Sequence, residues 1–320
     1  MVIPVYPIRM KVFHGMTGVE GCVRGFALAL GNFDGVHLGH QELFRQAKQF
    51  GGAAALTFEP HPGRVLQPEL APKLITLLPR KLELLEGCGL DAVIIQPFTA
   101  EYARTDAAQF EQSLLEGLGA KHLVVGSDFT YGAGRRGTVK RLAKAAGAWG
   151  ASLRVVPPVA VDGVVVSSSK IREYILEGRV KAAQRLLGRH FDLDGTVVPG
   201  QGRGRSIGFP TANVDTSNEL RPAPGVYAVR ARLVGGPSSP PSAWMGGAAN
   251  IGVKPTFGGT QVTIEVHLFD FSGDLYGKAL RLQFIDRLRS EQRFASAAEL
   301  ALQIGRDLLA AREVIAGVVD

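Results

Sequence analysis

Short apolar runs alternate with amphipathic segments along the first half of the chain. Residues 26–30, 53–58, 92–96, 122–125 and 153–156 are short, mainly apolar runs of four to six positions, which read as strands. Residues 41–50, 80–86, 107–118 and 139–146 have helical composition. This alternation predicts a parallel sheet with crossover helices, whose ligands bind beyond the carboxyl ends of the strands. Residues 167–172 begin a further helix. Three serines there can supply N-cap oxygens, and Ile171, Ile175 and the Leu186-Leu187 pair give an apolar face. Gly178 separates two helical pieces.

After Gly188 the period changes to two. Residues 193–198, 225–234, 262–271 and 279–285 alternate apolar with polar and are joined by Gly/Pro turns, predicting an antiparallel barrel or sandwich. Residues 234–242, rich in Gly, Pro and Ser, read as a hairpin loop, and 296–319 as a closing amphipathic helix. The predicted architecture is α/β plus all-β, with domains 1–187 and 188–320. A length of 320 residues fits two domains.

The formal charge of +7 and a pI of about 9.5 favour anionic partners, either nucleic acid or phosphorylated small molecules. Basic residues recur beside glycines, as in Arg135-Arg136-Gly137 and Gly202-Arg203-Gly204-Arg205, which suits phosphate loops more than a duplex-binding face. Flexible basic loops of this kind also suit RNA. No apolar run approaches the ~20 residues of a membrane span, and 1–11 is too short and weakly apolar for a signal peptide. Cys22 and Cys88 have no metal or redox spacing, which points to a reducing cytoplasm without a disulfide framework.

The chemistry concentrates in a few segments. Gly31-Asn32-Phe33-Asp34-Gly35-Val36-His37-Leu38-Gly39-His40 lies where a strand turns into a helix. A helix N-terminus binds phosphate through its N–H groups and partial positive charge. Two imidazoles added there can hold a leaving pyrophosphate, and Gly31, Gly35 and Gly39 let the backbone approach it. Ser167-Ser168-Ser169-Lys170-Ile171-Arg172 forms a second clamp of hydroxyls and cations at a helix start. Gly126-Ser127-Asp128-Phe129 and Glu59-Pro60-His61-Pro62 both follow strands; Asp128 is either a turn former or a ligand contact. In 262–268 strict alternation puts Glu265 on the face opposite the core, beside Thr263 and His267. No Gly-x-x-x-x-Gly-Lys-Ser/Thr run exists, so a kinase here is not of P-loop type. In Gly208-Phe209-Pro210-Thr211-Ala212-Asn213 the Thr211 hydroxyl and Asn213 amide oxygen are hard ligands suited to Mg²⁺ carrying ATP phosphates. The preceding basic loop, with Gly202 and Gly204, can close over a nucleotide.

Together, segments 31–41, 57–62, 125–137, 167–173, 202–214, 250–259, 265–271 and 288–294 resemble the bifunctional bacterial riboflavin kinase/FMN adenylyltransferase family, also called FAD synthetase. They span nearly the whole chain in the family's order. The resemblance implies a Rossmann-like nucleotidyltransferase domain followed by a flavokinase-type antiparallel β-barrel with a C-terminal helix. It implies ATP-dependent phosphorylation of riboflavin to FMN, then adenylylation of FMN to FAD with release of pyrophosphate. By that resemblance His37 and His40 contact ATP phosphates within Gly31, Asn32, Phe33, Asp34, Gly35 and Gly39, joined by Ser167, Ser168 and Ser169, and Arg172 stabilises the transferring phosphate. His61 lies by the flavin of that site, and Asp128 near the nucleotide or the flavin. In the barrel, Glu265 is the base, Thr211 and Asn213 hold the metal, Gly202, Gly204 and Gly208 border ATP, and Glu291, Arg293 and Phe294 lie by the flavin.

Two positions depart from the family's pattern: Ser127 replaces a common acidic residue, and Ser169-Lys170 a frequent Thr-Arg. The expected partners are ATP, riboflavin and FMN with Mg²⁺, in the cytoplasm, without nucleic acid or membrane; oligomeric state is left open. An enzyme with one dead site, or a related nucleotidyltransferase for another phosphorylated acceptor, is the nearest alternative. A basic RNA-binding module is a rival of another class, and it would bind RNA salt-dependently without turning over ATP.

Overall fold

A computed structural model describes residues 9–200, 208–235, 241–256 and 259–318. Its contacts divide between Ser168 and Ser169 into two compact units.

In the first unit, six strands form one sheet: β1 (Lys11–His14), β2 (Ala27–Leu30), β3 (Ala53–Glu59), β4 (Ala92–Pro97), β5 (His122–Gly126) and β8 (Ser152–Val156). The short pairs β6 (Thr130–Tyr131) with β7 (Gly137–Thr138), and β9 (Ala160–Val161) with β10 (Val164–Val165), make two small antiparallel ribbons. The connecting helices are α1 (Glu20–Val23), α2 (Leu38–Ala47), α3 (Pro62–Leu66), α4 (Leu78–Gly87), α5 (Ala107–Gln112) and α6 (Val139–Ala148). The sheet order is β1-β4-β3-β2-β5-β8, and every pairing is parallel.

Alternate side chains point to opposite faces. Leu28, Leu30, Leu56, Ile94 and Val125 join Phe110, Leu114 and Leu142 in one core. Ala27, Ala29, Ala55, Val93 and Val124 join Phe44 and Leu85 in the other. Both faces are covered, so the strands read as continuous apolar runs. The chain runs β2-β3-β4 toward one edge and returns with β5 on the other side of β2. The crevice beyond the ends of β2 and β5 is therefore the switch point at which such sheets bind ligands.

The predicted elements recur with shifted ends. α2 begins at Leu38 rather than at 41, and a 3₁₀ turn (Lys48–Phe50) completes it. α5 runs on through a π turn, Ser113–Gly117. β1 escaped the pattern because it is a half-exposed edge strand without an apolar run.

The second unit begins with α7 (Ser168–Leu176), whose first residue closes the first unit, and α8 (Val180–Leu187). They break at Gly178, whose φ of +77° suits glycine. Then β11 (Phe191–Val198), β12 (Ala212–Asp215), β13 (Gly225–Leu233), β14 (Met245–Thr256), β15 (Gly259–Leu268) and β16 (Ala279–Arg289) form a closed antiparallel barrel in the order β11-β12-β15-β14-β13-β16. Closure settles barrel against sandwich.

β12 and β14 are absent from the sequence reading. β12 is only four residues long, and Gly246, Gly247 and Pro255 break the apolar alternation of β14. β15 ends at Leu268, short of the predicted 271. Of the expected loop at 234–242, residues 236–240 lie outside the described residues. The C-terminal helix α9 (Ala297–Ala316) is capped by the Ser296 hydroxyl, which accepts the Glu299 N–H, and packs Ala311 against Ala228, Ala248 and Ile285.

A buried ion pair crosses two strands of the barrel. Asp194 on β11 stands opposite Arg281 on β16 and accepts two hydrogen bonds from it, at 2.6 and 2.7 Å. α8 packs on β16, and the Ala223 N–H donates to the Ile175 carbonyl, so α7 and α8 group with the barrel although the change in sequence character comes near Gly188.

Candidate active sites

The segment after β2 is held from several sides. Asp34, only 4 % exposed, accepts the N–H groups of Ile75 and Thr76 on its carboxylate, and the Gly35 N–H donates to the Thr76 hydroxyl. Phe33 and Val36 are buried with positive φ, 51° and 44°, a conformation that non-glycine residues rarely adopt. Gly31 packs against the Phe33 ring, and Gly35 takes φ +84° against Ile75. His37 is the N-cap of α2: its Nδ1 accepts the His40 N–H at 3.3 Å, so the neutral ring carries its proton on Nε2 as a donor. The His37 and His40 rings stack at 3.5 Å between centroids, and Phe33 meets His40 edge-on at 5.3 Å. Gly39 sits where a Cβ would press on the His37 imidazole at 3.2 Å, so glycine keeps that ring in its capping pose. The structure thus brings the two histidines together at a helix N-terminus, at the switch point.

Asn32 serves through its carbonyl, which accepts from the Thr57 hydroxyl at 3.0 Å and from the Lys81 ammonium at 3.4 Å. Lys81 was not among the sequence candidates. It lies 5 % exposed on α4, and its Nζ also meets the Thr57 hydroxyl at 3.4 Å and the Glu59 carboxylate at 3.9 Å. Burial pushes its pKa down, against the pull of Glu59 and Asp34.

Glu59 leads into Pro60 and His61, and His61 caps α3 by accepting the Gly63 N–H on Nδ1 at 3.1 Å. Ser127 and Asp128 are exposed just beyond β5. Ser167 and Ser168 end the first unit, and the Ser168 hydroxyl donates to the Asp34 carbonyl of the same unit at 3.0 Å. Ser169 and Arg172 follow on α7, with Arg172 four residues after Ser168 and so on the same helix face.

On the barrel, Glu265 stands in register with Asn213 of β12 on one side and Asn250 of β14 on the other. Opposed residues of antiparallel strands share a face. Val214, Ala249, Ile251, Ile264 and Val266 are buried on the core side, while these three polar residues are half-buried on the outer side. The alternation around Glu265 is therefore the one read from the sequence. Asn250, within a matched segment, was not singled out as a site residue.

Thr211, exposed, enters β12 from Gly208, whose φ is +87°. That segment is pinned to β15 by His267 Nδ1, 2.8 Å from the Pro210 carbonyl. Gly202 and Gly204 lie outside the described residues. Glu291 joins the cluster: a Cβ on Gly252 would lie 3.0 Å from its Oε1 and 3.4 Å from both Asn250 Nδ2 and Thr263 Oγ1. Arg293 is exposed. Phe294 lies 5.7 Å under the Arg289 guanidinium, which also pairs with Asp307 of α9.

A parallel sheet with paired histidines at its switch point is followed by a closed barrel with a carboxylate among amides, and family models identify both parts as enzyme domains. The FAD synthetase family model matches residues 20–170, and the riboflavin kinase model matches 187–315. The chain belongs to the bifunctional riboflavin kinase/FMN adenylyltransferase family. Members from Escherichia coli K12 and Bacillus subtilis 168 are each 39% identical to it, over 95% of this chain and 97% of the first, and over 88% of this chain and 89% of the second. The crystal structure of a Streptococcus pneumoniae chain described as a macrolide-efflux protein covers 97% of this chain and 100% of its own, at 30% identity and TM-score 0.85. Among the described residues no helix is long and apolar enough to cross a membrane. The chain is an enzyme with a FAD synthetase domain and a riboflavin kinase domain, of families that use ATP and a divalent metal.

Proposed function

We propose that the two reactions of this bifunctional enzyme, riboflavin to FMN and FMN to FAD, divide between the two motif sets. In the second, the phosphate of FMN attacks the α-phosphorus of ATP, and the bond to the β-phosphate bridging oxygen breaks. The nucleophile is already an anion, so no base is needed. The protein has to align the phosphates and meet the charge growing on pyrophosphate. His37 and His40 do this at the start of α2, with Gly31, Asn32, Phe33, Asp34, Gly35 and Gly39 shaping the approach. Asp34 acts by fixing the segment, since its carboxylate is engaged by Ile75 and Thr76. Ser167, Ser168, Ser169 and Arg172 hold the transferring phosphate, and His61 and Asp128 border the flavin.

In the first reaction the nucleophile is a ribityl hydroxyl. Glu265 accepts its proton as the oxygen bonds to the γ-phosphorus and ADP leaves. Asn213, level with Glu265, and Thr211, two residues before it, offer hard oxygen donors that suit Mg²⁺. When bound, that ion neutralises phosphate charge. Gly202, Gly204 and Gly208 border ATP, and Glu291, Arg293 and Phe294 border riboflavin. The domains by activity are 1–187 and 188–320, working in the cytoplasm on small molecules and not on nucleic acid.

The observation that carries this division is the capped, stacked histidine pair on one unit and the Asn213–Glu265–Asn250 row on the other. The test is His37→Ala with His40→Ala in one chain, given riboflavin and Mg-ATP, with the flavins separated over time. The variant should halt at FMN, the loss falling on turnover more than on flavin binding. Normal FAD production would reject the site.

A further inference from the structure

Lys81 has no role in the site as drawn above, yet it is one of the two buried residues of α4, the other being Leu85. Its ammonium reaches three oxygens, one in the segment after β2 and two at the end of β3. The Asn32 carbonyl lies in the segment that leads to His37. The Glu59 carboxylate opens the turn that leads to His61, and the Thr57 hydroxyl stands between, itself donating to Asn32.

None of these oxygens needs Lys81 for its own satisfaction. The Asn32 carbonyl keeps the Thr57 hydroxyl, and Glu59 is about one-third exposed, at 34%, and so reaches water. Asp34 keeps the N–H groups of Ile75 and Thr76. Desolvating an ammonium costs stability, and here burial is the largest influence on the group. A residue kept at such a cost, without being required by its neighbours, serves something other than folding.

We propose that Lys81 is a positioning residue for adenylyl transfer, holding the His37 segment and the Glu59–His61 turn in one fixed spacing so that the two substrates meet in line. The assignment rests on the reading of His37 and His40 as the phosphate site. Misplacement by about 1 Å, far from the chemistry, costs on the order of 10²-fold in rate. The effect should fall on kcat, because each loop keeps its own binding groups and only their spacing is lost.

The experiment is Lys81→Met in the full chain, with both activities and thermal unfolding measured beside His37→Ala. The expected result is a fall of about tenfold or more in kcat for FAD formation from FMN and Mg-ATP. KM for each substrate should move less than about threefold, riboflavin phosphorylation should hold, and the melting temperature should stay level or rise. That pairing of lower activity with undiminished stability is what a merely structural lysine would not give. Wild-type kcat in Lys81→Met with His37→Ala inactive overturns the inference alone. Activity retained in His37→Ala removes the site reading beneath it. A parallel fall of both activities and of melting temperature also overturns it, as a structural role. Should Lys81→Met fail to fold, Lys81→Gln, which keeps a donor without the charge, is read by the same criteria.

Discussion

Glu265→Gln removes the charge of one carboxylate while keeping its shape. The side chain is half-buried on the outer face of β15, level with Asn213 and Asn250. An amide of equal size fits between two amides, so barrel stability should shift by no more than about 0.5 kcal/mol. The chemical step should respond very differently. The ribityl hydroxyl must lose its proton as it bonds to phosphorus, and losing a general base typically costs ~10²–10⁴ in rate. At 1.36 kcal/mol per tenfold, that is about 2.7–5.4 kcal/mol of barrier. FAD formation from supplied FMN starts from an anionic nucleophile and should be nearly unchanged. The assay follows separated flavins twice, once from riboflavin with Mg-ATP and once from FMN with Mg-ATP, beside a thermal melt. A loss of both activities with folding preserved, or riboflavin phosphorylation within threefold of wild type, would refute the role of Glu265.

Two further outcomes follow from packing. Asp194→Ala deprives the guanidinium of Arg281, only 2 % exposed, of its carboxylate, and should cost about 3–5 kcal/mol of barrel stability by denaturant titration. Replacing Asp194 and Arg281 together with Leu and Met should cost much less, and equal costs would show that the charge is not the cause. A chain starting at Ser169 and one starting at Gly188 should each make FMN and no FAD. The longer should melt higher, because α8 packs Val180, Ala183, Leu186 and Leu187 with the barrel; equal melting temperatures would show that the helices add nothing to it.

The sequence displayed those parts of the fold whose signal is local. β2, β3, β4 and β5 are nearly continuous apolar runs because both faces of the sheet are covered there, so no alternation was needed to find them. β15 was legible for the opposite reason: Ile264, Val266 and Leu268 turn inward while Glu265 turns outward. β14 carries the same alternation, but Gly246 and Gly247 dilute it. A Cβ on Gly247 would run into the backbone carbonyl of His267, so strand pairing itself demanded the residue that hid the strand. Asn250 went unnoticed with it. An asparagine in a weak strand has no motif, and its meaning comes from standing opposite Glu265 across a ladder.

Lys81 differs from Asn250, because its signal was present and read the other way. In α4 it falls three residues after Leu78 and four before Leu85, on the stripe that faces the core. A lysine inside such a stripe breaks the amphipathic pattern, and pattern reasoning discounts the break as noise on an otherwise sound helix. Physical reasoning weighs it differently. An ammonium is among the costliest groups to desolvate, so a chain that keeps one on a buried stripe gains something that leucine would not provide. Here the gain is reach. Four methylenes carry the charge from the helix to the Asn32 carbonyl and Glu59 carboxylate, next to the segments that bear His37 and His61. Motifs found the groups proposed to touch the substrates, because those groups must lie close together in sequence on one turn. The group proposed to set the spacing between two such turns comes from a third element, and a polar residue where periodicity calls for an apolar one is its trace in the sequence.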